Sequence, residues 1–359
     1  MHLEHLDLKD LGWNSFFEQH LSALQRPHLG PARVVEELKR FLRVRSADGE
    51  YLAETAGKIR YQAEDRDDLP AVGDWVAITP RAQGRARIEY ILPRRTKLAR
   101  KAAGRGQSEQ IIATNLDIVF VVSSLNRDLN LRRMERYLAI VWESGARPVV
   151  LLNKADLCAN ANALAAEVAG IAPGVPVHSL SAVQGNGVET VRRYLKQGET
   201  AALVGSSGVG KSTIINALAG GNSLRVQPVR EGDQRGQHTT TSRRMIFLSG
   251  GGIVIDTPGM RELQLWESNE GVHQAFEDIV RLAQECKFRD CSHRGEPGCE
   301  VEAAILRGAL ERERLDNHHK LQAELRFQER KLDPRLASET KAKWKKIHKA
   351  MRVHKPGRS

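Results

Sequence analysis

The run Gly205-Ser206-Ser207-Gly208-Val209-Gly210-Lys211-Ser212 constrains the chain more than any other segment. It fits G-x-x-x-x-G-K-[ST], a loop whose glycines let successive backbone N–H groups turn toward phosphates. Apolar Ala201–Val204 precedes it and helix-like Thr213–Ala219 follows, so a strand, a loop and a helix are predicted in that order. The helix N-terminus adds positive potential at the loop. Lys211 would place its charge on the β- and γ-phosphates of a nucleotide, and the Ser212 hydroxyl is suited to ligate Mg²⁺.

The base is read elsewhere. Asn153-Lys154-Ala155-Asp156 follows the apolar Val149–Leu152, and N-K-x-D is a guanine signature. Guanine offers N1–H and its 2-amino group side by side, and the Asp156 carboxylate can accept both. Adenine has no such pair, and a buried Asp156 facing it would go unpaired. Ser181-Ala182, after Pro176–Leu180, can offer a backbone N–H to the guanine O6.

Asp256-Thr257-Pro258-Gly259 follows apolar Ile253–Ile255. In this D-x-x-G, Asp256 is expected near Mg²⁺ through water and Gly259 near the γ-phosphate. Between it and the phosphate loop lies Arg235-Gly236-Gln237-His238-Thr239-Thr240-Thr241, the expected switch loop. One threonine would close on Mg²⁺ and the γ-phosphate. Thr240 is taken here, although Thr239 and Thr241 fit the spacing as well. Met260 stands where many GTPases carry a water-orienting Gln, so another group must position the water. His238 is the nearest candidate, with Arg235 or a partner's group as a further source of charge.

The motifs therefore run base, base, phosphate loop, switch I, switch II, a permuted order. Permutation can leave a site intact because the ends of a compact domain often lie close together. It also places switch II beside the C-terminal segment, which makes that segment the expected reporter of nucleotide state.

Around this unit the pattern changes. Apolar runs alternate with helical segments from about 112 to 265, as in a mostly parallel sheet covered on both faces. Short strands are predicted at Ala32–Glu36, Phe41–Arg45, Tyr51–Thr55, Lys58–Gln62, Val72–Thr79 and Ala86–Leu92, with Asp48-Gly49 as a hairpin signal. They suit a small all-β barrel such as the OB-fold. Between Arg81 and Arg105 stand nine Lys or Arg against one acidic residue, Glu89. That stretch reads as a solvated linker or, beside a barrel, as a phosphate-contacting surface. Leu11, Trp13, Phe16, Phe17, Leu21 and Leu24 make a helical stripe that ends at Pro27-His28-Leu29-Gly30-Pro31. It suits a helix docked on the body, or a direct RNA contact.

Cys286-x4-Cys291-x-His293-x5-Cys299 supplies three thiols and an imidazole, a closed tetrahedral set for one structural Zn²⁺. Gly295, Pro297 and Gly298 would turn Cys299 back to the metal. Cys158 has no such partners and reads as a reduced core thiol.

The net charge of +11 favours polyanionic partners, nucleic acid first. No apolar run of membrane-spanning length and no signal peptide is read, so no membrane and a cytoplasmic location are expected. Lys341–Ser359 carries eight Lys or Arg and no acid. The division expected is a helical arm (1–30), an OB-fold RNA-binding domain (31–105), a circularly permuted α/β GTPase domain (106–268), a helical zinc-binding domain (269–335) and a basic tail (336–359).

The permuted order, the barrel before it and the Cys-x4-Cys-x-His-x5-Cys helical region after it together resemble the bacterial small-ribosomal-subunit biogenesis GTPases, the RsgA or YjeQ family. The resemblance spans roughly residues 31–330. It implies GTP hydrolysis stimulated by the small subunit late in its assembly, rRNA contact, and a chain acting as a monomer. By motif position it implies GTP or GDP bound by Asn153–Asp156 and Gly205–Thr213, Thr213 included, and zinc bound by Cys286, Cys291, His293 and Cys299. The family usually carries an apolar residue where Met260 stands and a histidine where His238 stands. A GTP-sensing RNA-binding factor with negligible catalysis is the alternative reading.

Overall fold

In a computed structural model, residues 7–101, 109–125, 129–221, 243–257 and 269–332 are described. The chain opens on helix α1 (Ser15–Ala23), whose Asn14 cap accepts a hydrogen bond from the Phe16 N–H at 3.1 Å. Its Phe17 and the preceding Leu11 are buried against Trp75 and Leu92, and Trp13 meets Trp75 edge-on at 4.7 Å. The arm is thus a docked helix.

Strands β1 (Gly30–Glu37), β2 (Leu42–Ser46) and β3 (Gly49–Thr55) follow, then helix α2 (Gly57–Gln62), β4 (Trp75–Arg81) and β5 (Arg85–Ile91). They pair in the order β1-β2-β3-β5-β4, and β4 returns to β1, closing a five-stranded barrel. Only β3 and β5 run parallel within it. This is the OB-type barrel the short strands imply. One expected strand is corrected: Lys58–Gln62 lies in α2. Over so few residues, period 2 and period 3.6 are hard to separate; Tyr61 in this segment is 92% exposed.

The described part of the basic stretch, residues 81–101, includes strands rather than a linker alone. After β5, β6 (Lys97–Lys101) pairs antiparallel with β7 (Glu109–Thr114) across the 105/106 boundary. Arg94 is committed to the fold: its guanidinium makes two 2.8 Å contacts to the buried Asp74 carboxylate and also donates to the Asp67 and Leu69 carbonyls.

The next elements are β8 (Ile118–Ser124), α3 (Leu131–Glu143), β9 (Arg147–Asn153), α4 (Ala161–Ile171), β10 (Val177–Ser179), α5 (Val188–Arg192), β11 (Thr200–Val204), α6 (Lys211–Ala219), β12 (Arg244–Phe247) and β13 (Ile253–Asp256). The sheet order is β10-β9-β8-β11-β13-β12, parallel except for β12. Alternation along β8 sends Ile118, Phe120 and Val122 toward α5 and α6, and Val119 and Val121 toward α3. Both faces are covered, which is why the strand is apolar from Ile118 to Val122. β12 also pairs with β1 at Glu36 and Arg244, so the sheet runs on into the barrel.

Helices α7 (Asn269–Ala275), α8 (Glu277–Gln284), α9 (Glu300–Leu306) and α10 (Arg312–Leu332) close the chain. Val272, Phe276, Ile279, Val301 and Leu315 share one core with α3 and β8. A Cβ on Gly271 would sit 2.2 Å from the Ala139 carbonyl oxygen, so glycine permits α7 to lie directly on α3.

Candidate nucleotide site and metal cluster

The loop Gly205–Gly210 leaves the carboxyl end of β11 and enters α6 at Lys211. Two of its glycines are required sterically. Gly205 has φ +146° and a Cβ there would fall 2.1 Å from the Val122 oxygen; Gly210 has φ +98° and a Cβ would fall 2.2 Å from Asn153 Nδ2. Among the described residues, no carbonyl accepts from the N–H groups of Ser206, Ser207, Gly208, Val209 or Gly210. Lys211 Nζ donates to the Gly205 and Ser206 oxygens, each at 2.7 Å, which holds its charge over the loop. Ser212 and Thr213 stand in the first turn of α6. These features fit a phosphate group at a helix N-terminus.

Asn153, at the end of β9, ties three loops together. Its Nδ2 donates to the Val209 oxygen at 2.8 Å, and its Oδ1 accepts from the Ala182 N–H at 3.1 Å. It is buried at 3% exposure. Lys154 takes a left-handed conformation, φ +63°, and its Nζ reaches the Gly208 oxygen at 2.7 Å. That turn presents Asp156 on the next residues, exposed to solvent. Asp156 is thus exposed here rather than buried as expected. Ser181 pairs with Asn186 and is itself buried, which sets the Ala182 N–H toward Asn153. The phosphate loop and both base loops thus meet at the carboxyl ends of β11, β9 and β10, where open α/β sheets bind ligands.

Asp256 ends β13, the neighbour of β11, and Thr257 beside it is buried. Gly259, Met260 and the segment holding Arg235, His238, Thr239, Thr240 and Thr241 lie outside the described residues. One site contact was missed by sequence reading. Arg133, on α3, donates through Nη1 to Ser206 Oγ in the phosphate loop. An arginine on a helix's polar face carries no motif, so only the packing of α3 beside the loop finds it.

The second site brings together all four expected ligands. Cys286, Cys291, His293 and Cys299 place their ligand atoms within 4.8 Å of one another. Cys286 Sγ lies 4.0 Å from Cys299 Sγ and 3.7 Å from His293 Nδ1, and His293 Nδ1 lies 3.4 Å from Cys299 Sγ. A tetrahedron with zinc-like bonds has edges of about 3.7 Å, so this cluster could bind zinc. Glu296 knots the connecting loop, accepting from the Ser292 N–H at 3.0 Å and the Arg294 N–H at 2.6 Å. The hydrogen bond from the Ser292 hydroxyl, then that from the Arg294 N–H, hold its carboxyl down at about 2. Desolvation keeps His293 below the usual histidine range and so neutral, the form that ligates metal. Desolvation, then contact with the Cys299 and Cys286 thiols, pushes the Cys291 thiol up to about 11; a bound cation reverses that preference. Cys158 is a free thiol, partly buried against the main core, with Sγ toward Asn160 Oδ1 at 3.2 Å.

A P-loop strand in mid-chain, with its base loops on strands that precede it, defines a circularly permuted guanine-nucleotide-binding domain. The family model for the RsgA GTPase matches residues 91–266. A relative from Opitutus terrae, named a small ribosomal subunit biogenesis GTPase RsgA, is 44% identical over 97% of this chain and 98% of its own. The crystal structure of YjeQ from Thermotoga maritima superposes with a TM-score of 0.64 at 27% identity, over 83% of this chain and 98% of that one. YloQ, described as a circularly permuted GTPase, shares the fold with a TM-score of 0.60 at 22% identity, over 83% of this chain and 96% of its own. The chain belongs to the RsgA GTPase family.

Proposed function

We propose that this protein binds GTP across the three loops joined by Asn153 and hydrolyses it during late assembly of the small ribosomal subunit. The contact of Asn153 with both Val209 and Ala182 carries the nucleotide part, because it makes base reading and phosphate binding one rigid site. The subunit part rests on relatives of that name along nearly the whole chain. Basic residues on the barrel and in the tail suit rRNA.

In this reading Asp156 accepts from guanine N1–H and the 2-amino group, and Ala182 offers its N–H to O6. The N–H groups of Ser206–Gly210 surround the phosphates. Lys211 stabilises the charge that develops on the phosphates in the transition state. Mg²⁺, when bound, neutralises charge between the β- and γ-phosphates; Ser212 would ligate it, Asp256 would hold its water, and Thr240 would complete the set. Gly259 would meet the γ-phosphate. His238 orients the attacking water, since Met260 has no group that can. The intrinsic rate is therefore low and rises on the subunit, which completes the arrangement. Cys286, Cys291, His293 and Cys299 would hold one structural Zn²⁺. The protein acts as a cytoplasmic monomer; no described helix is long and apolar enough to cross a membrane.

GTP hydrolysis measured against added small subunits tests this. The rate should rise with subunits in the wild type and stay low in His238→Ala. A flat response would remove the ribosome from the mechanism. Binding with no turnover under any condition would favour a GTP-sensing assembly factor.

A further inference from the structure

Helix α3 touches both sites' domains through different faces. At its N-terminal end, Asn130 accepts from the Arg133 N–H at 2.9 Å, and the Arg133 guanidinium bonds Ser206 Oγ. Ser206 is gripped twice: Arg133 holds its hydroxyl, and Lys211 Nζ holds its carbonyl. Displacing Ser206 therefore displaces the phosphate lysine. A shallow crevice beside this contact is lined by Ser123, Asn130, Arg133, Tyr137 and Ser206.

The other face is clamped to the C-terminal helices. Glu135 is fully buried and accepts from Arg132 at 2.7 Å, from Arg314 at 2.8 Å and from Asn317 at 2.6 Å. Arg314 also holds Asp278 of α8 through two 2.7 Å contacts. Next to Glu135, Arg136 forms a two-pronged pair with Glu324 of α10 at 2.8 and 2.6 Å. Such paired, directional contacts leave a helix little freedom to slide. α8 leads into Cys286, so the helices gripping α3 also carry the metal cluster.

We propose that Arg133 is a positioning residue for the phosphate loop, and that α3 makes the C-terminal helical domain set where that loop, with Lys211, sits. The line runs from Glu324 and Arg314, through Arg136 and Glu135, to Arg133 and Ser206. A partner that shifts the C-terminal helices thereby adjusts the nucleotide site without touching it. This rests on the nucleotide reading above and adds a route to it that is independent of switch II.

The test pairs one variant at each end of this line, Arg133 on α3 and Glu324 on α10. Arg133→Ala should weaken a fluorescent GDP analogue about tenfold, the worth of one charge-assisted hydrogen bond, with Arg133→Lys intermediate. Glu324→Gln lies at a partly exposed pair far along the helix and should leave the fold intact. In nucleotide-free protein it should speed amide hydrogen exchange across 205–212, and should do so only while Arg133 is present. Equal effects of Glu324→Gln on the wild-type and Arg133→Ala backgrounds, or no effect on either, overturn the proposal. Because exchange is read without nucleotide, it decides the matter even if the wild type binds no GDP analogue, a result that would instead sink the nucleotide reading.

Discussion

Asn153 shows how much rests on single side chains here. Its two hydrogen bonds satisfy a carbonyl and an N–H that belong to different loops. Asn153→Ala should lower GDP affinity by roughly tenfold to a hundredfold, since both partners lose their bond; titration with a fluorescent analogue reads this. The N-K-x-D pattern makes this residue legible in the sequence, whereas Arg133 and the buried Arg33 are not. Arg33 joins the arm, barrel and central domain by donating to the Leu11, Gly73 and Asn115 oxygens and to Thr200, yet it reads as one more basic residue. His318 makes a second residue-scale case. It is 5% exposed, its Nδ1 has no partner among the described residues, and desolvation, followed by neighbouring His319 and His273, pulls it down to about 4. Its folded value lies below the unfolded one, so protonation opposes folding. Stability should be complete above about pH 6.5 and fall toward pH 4, by up to about 3 kcal/mol from this group. Urea unfolding of His318→Phe against wild type, at several pH values, should show the wild type losing stability relative to the variant as pH falls from about 6.5 toward 4.

At the scale of elements, the alternation of apolar strands and helices was readable because each buried strand is apolar on both faces, as β8 shows. The barrel strands were readable in part. Lys58–Gln62 failed because five residues cannot separate two periods. The β6–β7 hairpin was hidden because Lys97, Arg100 and Lys101 gave β6 the look of a charged linker. The grip of α3 on the C-terminal helices was also invisible, since a buried Glu135 and its partners are far apart in sequence. Glu135→Ala should destabilise the protein by about 3–5 kcal/mol, because Arg314, 3% exposed at its side chain, would lose a partner inside the core. Thermal unfolding checks this, and a loss under about 1 kcal/mol would show the network relaxes freely.

Over the whole molecule, the barrel, the permuted domain and the C-terminal helices are built as one body. β12 joins β1, and α7 and α10 seal α3. Four motifs marked the candidate nucleotide site in the sequence. They carried no sign that the C-terminal helices share its core, because that depends on Gly271, Phe276 and Leu315 meeting α3 in space. If zinc holds the Cys286–Cys299 loop, a strong chelator should release one equivalent per chain and lower the unfolding temperature. The most direct test of the account is co-sedimentation with ribosomal subunits in a non-hydrolysable GTP analogue and in GDP. The account predicts retention on small subunits with the analogue and release with GDP. Equal retention in both nucleotides, or no preference for small over large subunits, would contradict it.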